Sequence, residues 1–296
     1  MQVVQGAEAN PTLLACLYAQ SKCLKTSTYL GAPKEWRPMA VLDTERGAAL
    51  RLRILSMTQA ERDAAGVNEP VDPHFGPWIR EGITFFHPGR DTWYQDCWEF
   101  ATKIAPDFKT VIADTLTQTA VRSLTEVKGM QYEGVTKETK RVHLKSGSVT
   151  TVHPTRSDYG FAHDRVMEFI TALDESPAHV LLISHEKTGE VSDAEGKVKR
   201  VIGGPRTVGN ALLELIPSIM DVVLRLEVQG TGANTKLVLR SRNHNFFIAG
   251  DRSGLFRDGV VHNIPDFWAK LAGVVNMAKA GSIAPPGGNV VPMKQT

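Results

Sequence analysis

Thr12–Ser27 reads TLLACLYAQSKCLKTS, an apolar run that breaks into a polar turn carrying Lys25-Thr26. The run Thr12–Tyr18 (TLLACLY) has no polar alternation, which predicts a strand buried on both faces. The turn after it falls on the frame of the phosphate-binding loop, G-x-x-x-x-G-K-[ST], with Ala19 and Leu24 at the two glycine positions. On that frame Ser21, Lys22, Cys23, Leu24, Lys25, Thr26 and Ser27 surround a phosphate. Lys25 would reach its terminal oxygens and the Thr26 hydroxyl would ligate Mg²⁺. The missing glycines normally allow a left-handed backbone, which costs a residue with a Cβ on the order of 1–2 kcal/mol. Taken alone, the stretch is better accounted for by an ordinary strand-to-helix turn that happens to contain Lys-Thr.

Outward from this turn the pattern repeats. Short apolar runs lie at Met39–Leu42, Ile83–Phe86, Thr110–Ala113 and His179–Ser184, separated by helix-like stretches Lys25–Leu30, Ala48–Ala65, Asp91–Ala105 and Phe161–Leu173. Strands alternating with amphipathic helices predict an α/β fold with a mostly parallel sheet covered on both faces. After His185 a polar loop, residues 186–207, leads to a helix over Gly209–Met220. Strand-like runs Val222–Leu226, Lys236–Leu239 and Phe246–Ala249 then predict an antiparallel extension, and Ile264–Met277 a last helix. One domain over residues 1–279 is expected, with a Pro/Gly-rich flexible tail over 280–296.

Composition narrows the class. The 296 residues are 42% hydrophobic and 22% charged, ordinary for a globular chain and wrong for a disordered or fibrous one. A net charge of +2 names no partner by itself. No run approaches the roughly 18 apolar residues that a spanning helix needs, so no membrane partner is expected. Met1–Pro11 lacks a basic segment followed by an apolar one, so no secretory signal is expected either. Cys16, Cys23 and Cys97 are unclustered, which argues against a disulfide framework or a zinc site and suits a cytoplasmic protein. There is no H-E-x-x-H, no dinucleotide glycine fingerprint after a strand and no G-x-S-x-G elbow.

Three strand ends carry further candidates. Asp43-Thr44-Glu45 closes the second strand, where Glu45 could polarise a water; either carboxylate could instead cap the helix near Ala48. Thr110–Thr115 (TVIADT) is apolar residues ending in one aspartate, the pattern in which Asp114 orients Mg²⁺. Ser184-His185 ends the fifth strand, where His185 could sense a γ-phosphate or simply be a hydrogen-bonded histidine.

The order of these motifs, from Thr12 to about Phe256, resembles the RecA-like nucleoside-triphosphatases. The stretches Asp158–Gly160, Arg165–Leu173 and Pro177–Lys187 (PAHVLLISHEK) are most similar to the small phage-encoded single-strand annealing proteins of that group. The resemblance implies a RecA-like core binding ATP and Mg²⁺, with Lys25 and Thr26 on phosphate and metal, Glu45 activating water, Asp114 supporting the metal and His185 as sensor. Arg240 and Arg242, in Leu239–Arg242 (LRSR), fall where such proteins reach a neighbouring subunit's ATP, which implies a homo-oligomeric ring or filament. The competing reading of Arg240 and Arg242 is a solvated edge strand. Single-stranded DNA is the implied partner, with a single-strand-binding protein as a further one. Two loops would carry it: Thr119–Arg156, holding Lys140, Arg141 and Lys145 with a hairpin around Val142–Val152, and Glu186–Thr207, holding Lys187, Lys197, Lys199, Arg200 and Arg206. If phage-encoded, the chain would act in the bacterial host cytoplasm. The alternative classes are an inactive pseudo-ATPase serving as an interaction module in phage DNA replication or recombination, and a replicative motor of the same core.

Overall fold

The computed structural model describes residues 12–67, 75–89, 92–130, 140–144, 147–151, 156–192, 198–230 and 235–279. The fold is mixed α/β with a mostly parallel sheet, as expected. β1 (Leu14–Ala19), β2 (Met39–Asp43), β3 (Ile83–Phe86), β4 (Thr110–Asp114), β7 (His179–Ser192) and β9 (Val222–Gln229) run parallel in the order β9-β1-β7-β4-β2-β3. β7 therefore lies between the strand that opens the Lys25 turn and the strand that ends in Asp114. Beyond β9 the sheet continues with antiparallel β10 (Lys236–Arg240) and β12 (Val260–Val261), and β11 (Gly250–Asp251) pairs with β9.

Each strand feeds two cores by alternation. Leu13, Ala15 and Leu17 point with Met39, Val41, Ile112, Leu181 and Leu224 into one layer. Leu14, Cys16 and Tyr18 point with Ala40, Leu42, Val111 and Leu182 into the other. Burial on both faces is why the strands read as unbroken apolar runs. The first layer is closed by α1 (Lys25–Leu30), α2 (Ala48–Leu55) and α8 (Ile264–Lys279), whose Trp268 is 1% exposed and donates its indole N–H to the Thr28 carbonyl at 2.8 Å. The second is closed by α4 (Trp93–Glu99), α5 (Leu116–Met130), α6 (Arg156–Asp174) and α7 (Leu212–Ile219).

Several expectations are corrected. The helix expected over Ala48–Ala65 stops at Leu55 and restarts as α3 (Gln59–Ala65), because Thr58 and Glu61 form a reciprocal cap. The Glu61 amide donates to Thr58 Oγ1 at 3.3 Å, and the Thr58 amide donates to Glu61 Oε2 at 2.8 Å. The antiparallel extension begins at β10, since β9 is parallel to β1. Phe246–Ala249 makes only isolated bridges. The expected loop over 186–207 is largely a ribbon: β7 runs on to Ser192 and pairs with β8 (Val198–Pro205) antiparallel. Within Thr119–Arg156, α5 occupies the first part, and β5 (Lys140–Leu144) and β6 (Gly147–Thr151) form a hairpin. The expected tail lies outside the described residues. Among them no helix is long and apolar enough to cross a membrane.

Candidate functional site

The parallel strands all end at one edge, and register brings their last residues together. Ala19 pairs with His185, and Asp43 with Asp114. Beyond that edge lies a cavity of about 480 Å³ lined by Lys22–Ser27, Glu45, Gly47, Arg51, Asp114, Thr115 and His185. Ligands of open α/β sheets bind in this position, outside the carboxyl ends of the strands.

The turn after β1 holds two positive-φ residues that are not glycine. Lys22 and Leu24 take positive φ, 62° and 55°, and Leu24 is left-handed at ψ 10°. The Leu24 side chain is 43% exposed, so it adds no packing clash to the local cost of the left-handed backbone. Left-handed residues in such a turn are one way a backbone can form the concave N–H arrangement that holds anions. Ala19, at the other glycine position, remains the last residue of β1 and fully buried. Lys25 is 6% exposed, and its ammonium donates to the carbonyls of Ala19 at 3.1 Å and Gln20 at 2.7 Å. Burial draws the Lys25 pKa down from its ordinary value. An ammonium held on loop carbonyls is a rest position that a phosphate, with its full negative charge, can displace.

The carboxylates divide the work. Asp43 accepts the amides of Gly47 at 3.2 Å and Ala48 at 3.0 Å, so it caps the start of α2. Glu45 is thereby left to the cavity. Its Oε1 accepts the Thr115 hydroxyl at 3.0 Å and lies 3.0 Å from His185 Nε2. The hydrogen bond to His185 is the largest influence holding the Glu45 pKa below its ordinary value, which keeps it a carboxylate. The other His185 nitrogen, Nδ1, is 3.3 Å from Ser21 Oγ, so one ring bridges the phosphate loop and Glu45. His185 is also where β7 leaves β1 and enters the ribbon.

Asp114 Oδ2 accepts the hydroxyls of Thr26 at 3.2 Å and Tyr29 at 2.7 Å. Burial pushes its pKa up to about 6, and the charges of Asp43 and Glu45 push the same way. That crowding of negative charge beside a threonine hydroxyl fits a divalent cation, whose charge would relieve it. Among the described residues no group of three His, Cys, Asp or Glu side chains could cage a metal. A cation here would be completed by phosphate oxygens, as Mg²⁺ bound with few protein ligands usually is.

The structure thus brings Lys25, Thr26, Glu45, Asp114 and His185 around one cavity. Arg240 and Arg242 do not line it. Arg240 donates to Glu227 Oε2 at 2.7 Å and Asp258 Oδ2 at 3.3 Å, and β10 has neighbours on both sides, so the competing reading of a solvated edge strand does not hold for it either. Arg242 is exposed. In the ribbon, Lys187 donates to the Gly209 carbonyl at 2.8 Å, Arg200 pairs with Glu214, and Arg206 is exposed. Lys199 lies in β8, and Lys140 and Arg141 lie in β5. Lys145 and Lys197 fall outside the described residues. Sequence reasoning missed Tyr29, Thr115 and Arg51, whose Nε donates to Ser27 Oγ at 2.9 Å. Tyr29 and Arg51 lie inside helical stretches with nothing local to mark them; Thr115, the residue after Asp114, was the one with a positional signal.

A model of the family described as an AAA domain (AAA_24) matches residues 13–253. No curated protein matches the chain. Among solved structures, a KaiC-like protein from Pyrococcus horikoshii OT3 is 12% identical, with 76% of each chain covered and a TM-score of 0.39. The flagellar accessory protein FlaH from Methanocaldococcus jannaschii is 9% identical, covering 77% of this chain and 76% of that one with a TM-score of 0.34.

Proposed function

The chain belongs to the AAA-domain family, and from that premise we propose that it binds ATP with Mg²⁺ at the β1–β4 crevice and acts on single-stranded DNA. One observation carries the nucleotide half: Leu24, at the second glycine position of the motif, takes the left-handed conformation that glycine usually provides, beside an open cavity shared with Asp114 and Glu45. In this reading the loop amides and Lys25 take the phosphates. Thr26 and Asp114 face the metal, which supplies charge neutralisation on the phosphate oxygens when bound. Glu45 orients and polarises the attacking water, and His185 registers what lies between Ser21 and Glu45. Labelled ATP analogue should bind the wild-type chain and be lost with Lys25→Ala. Equal binding by the two would remove this site.

The DNA half, annealing or strand pairing in recombination, is supported by the family resemblance and by the position of the ribbon. β7 leaves the core at His185 and pairs with β8 as a ribbon that carries Lys187 on β7 and Lys199 and Arg200 on β8, with Arg206 just after it. Contacts of this kind read the backbone and are sensitive to salt. Neutralising Lys197, Lys199 and Arg200 together should lower the salt slope of oligonucleotide binding by about 2, at about 0.7 per contact on single strands. An unchanged slope would take the ribbon out of the DNA site. With Arg240 tied to Glu227 and Asp258, Arg242 is the side chain left to reach a neighbouring subunit in a homo-oligomer. A second reading has its own support: Lys25 is already satisfied by the carbonyls of Ala19 and Gln20, as in a phosphate loop that no longer takes phosphate and serves as an interaction module. ATP that neither binds nor stabilises the chain, with or without DNA, would select it.

A further inference from the structure

Glu45 also lines a second cavity, of about 640 Å³, together with Arg46, Trp93, Gln118 and Arg122. The four come from three places. Arg46 follows β2 with φ 57°, Trp93 opens α4, and Gln118 and Arg122 sit one turn apart on the same face of α5. The Arg122 guanidinium lies over the Trp93 ring, 5.4 Å from its centroid.

Two features set this cavity apart. Arg225, Arg240, Arg165 and Arg200 each meet a carboxylate, whereas Arg46 and Arg122 meet none among the described residues. Trp93 is 5% exposed, yet its indole N–H has no hydrogen-bond partner. A buried indole N–H ordinarily finds an acceptor, and leaving one unmet costs about 1–3 kcal/mol. The cavity is therefore lined by two arginines, a glutamine and the Trp93 side chain against one carboxylate, Glu45, while the unpartnered indole N–H itself is shut off from solvent. That carboxylate already accepts the Thr115 hydroxyl and faces His185. What is missing is an acceptor with several oxygens and negative charge, and guanidinium forks match phosphate in that respect.

We propose that this cavity is a second anion site that takes a phosphate group, brought by the backbone of a single strand or by a free phosphate ester. Because Glu45 borders both cavities, a charge placed in this one acts on the carboxylate that faces the nucleotide site. The strand as source rests on the DNA reading above; the free ester does not.

The test uses the full chain, with Arg46→Gln and the double variant Arg46→Gln/Arg122→Gln. One arm follows a labelled oligothymidylate by anisotropy across a salt series. The other titrates inorganic pyrophosphate calorimetrically into Lys25→Ala, which removes the phosphate-loop ammonium, with and without the two arginine changes. A strand in the cavity lowers the salt slope by about 0.7 for Arg46→Gln and about 1.4 for the pair. A free ester leaves the slope alone and abolishes pyrophosphate binding when both arginines are replaced. If the wild type ignores oligonucleotide but the pyrophosphate result holds, the DNA reading fails and the anion site stands. Arg46 is exposed and unpaired among the described residues, so its single variant retains the fold even if loss of the Arg122–Trp93 stack does not. Neither ligand responding to either variant would overturn the proposal.

Discussion

The crevice at β1–β4 and the margin at β9–β10 use charge in opposite ways. At the margin the arginines meet carboxylates: Arg225 with Glu186 and Glu227, Arg240 with Glu227 and Asp258, and the Arg225 guanidinium lies 3.5 Å from the centroid of Phe247. In the crevice Lys25 and Asp114 meet neutral groups instead. Lys25 rests on carbonyls, Asp114 on the hydroxyls of Thr26 and Tyr29, and Glu45 on a hydroxyl and a histidine. An ion-pair chain holds strands in register, whereas charges bonded to dipoles, as Lys25 and Asp114 are, keep most of their field for a ligand. An arginine's role is thus set by its partner rather than by its place in a motif, which is why Arg240 leaves the list of candidates while Arg46 and Arg122 join it.

That contrast can be broken in four places. On the proposed function, the largest effect belongs to Glu45→Gln, which should lower ATP hydrolysis about 10²–10⁴-fold while leaving nucleotide binding in place, since it would remove the group proposed to polarise water. A steady-state phosphate-release assay beside analogue binding separates the two, and an unchanged rate would strip Glu45 of its role. Next comes Glu227→Ala, which leaves Arg225 and Arg240 each with one remaining partner and should cost about 2–3 kcal/mol of stability in a denaturant melt. A cost near zero would mean that the margin is no more structural than the crevice.

The third is a pH dependence. Asp114 has its folded pKa raised to about 6. A carboxyl raised on folding contributes more stability when protonated, so this contribution is lost as pH rises from the unfolded value through about 6. A bound cation needs the ionised form, so Mg²⁺-dependent nucleotide affinity should fall about tenfold per unit below pH 6. A flat profile from pH 7 to 5 would separate Asp114 from the metal. The smallest effect is expected for Leu24→Gly. Relief of left-handed strain is offset by the greater freedom of the unfolded chain, for a net change under about 1 kcal/mol. A Leu24→Val variant, β-branched and ill suited to positive φ, should lose more than that.

Much of the crevice was legible because its signals are local. Strands buried on both faces read as apolar runs, and Asp114 and Glu45 sit where those runs end. The Thr58–Glu61 cap that splits the expected helix was legible too, as T-x-x-E, and was overlooked. The rest depends on contacts between distant residues. Beyond His185 the chain turns polar because β7 leaves the core and pairs only with β8, so a strand there looks like a loop. Gly203 lies on that ribbon because a Cβ would meet the Phe247 ring at 2.4 Å, a closeness no local pattern announces. The same holds for Arg240 finding Glu227 across a β-ladder and for Arg122 finding Trp93 between helices. Left-handed leucine is the opposite case: the pattern says glycine, and the backbone reaches that conformation without it.

The central claim, that a phosphate loop built on Lys22 and Leu24 still grips a triphosphate, is tested most directly by thermal unfolding of the full chain with ATP and Mg²⁺, run alone and with a single-stranded oligonucleotide, beside Lys25→Ala. Ligand at about 100 times its dissociation constant should stabilise the wild type by about 2.7 kcal/mol and raise its Tm by several degrees, with no shift in the variant. Identical melting of both chains with and without ATP and Mg²⁺ would contradict it.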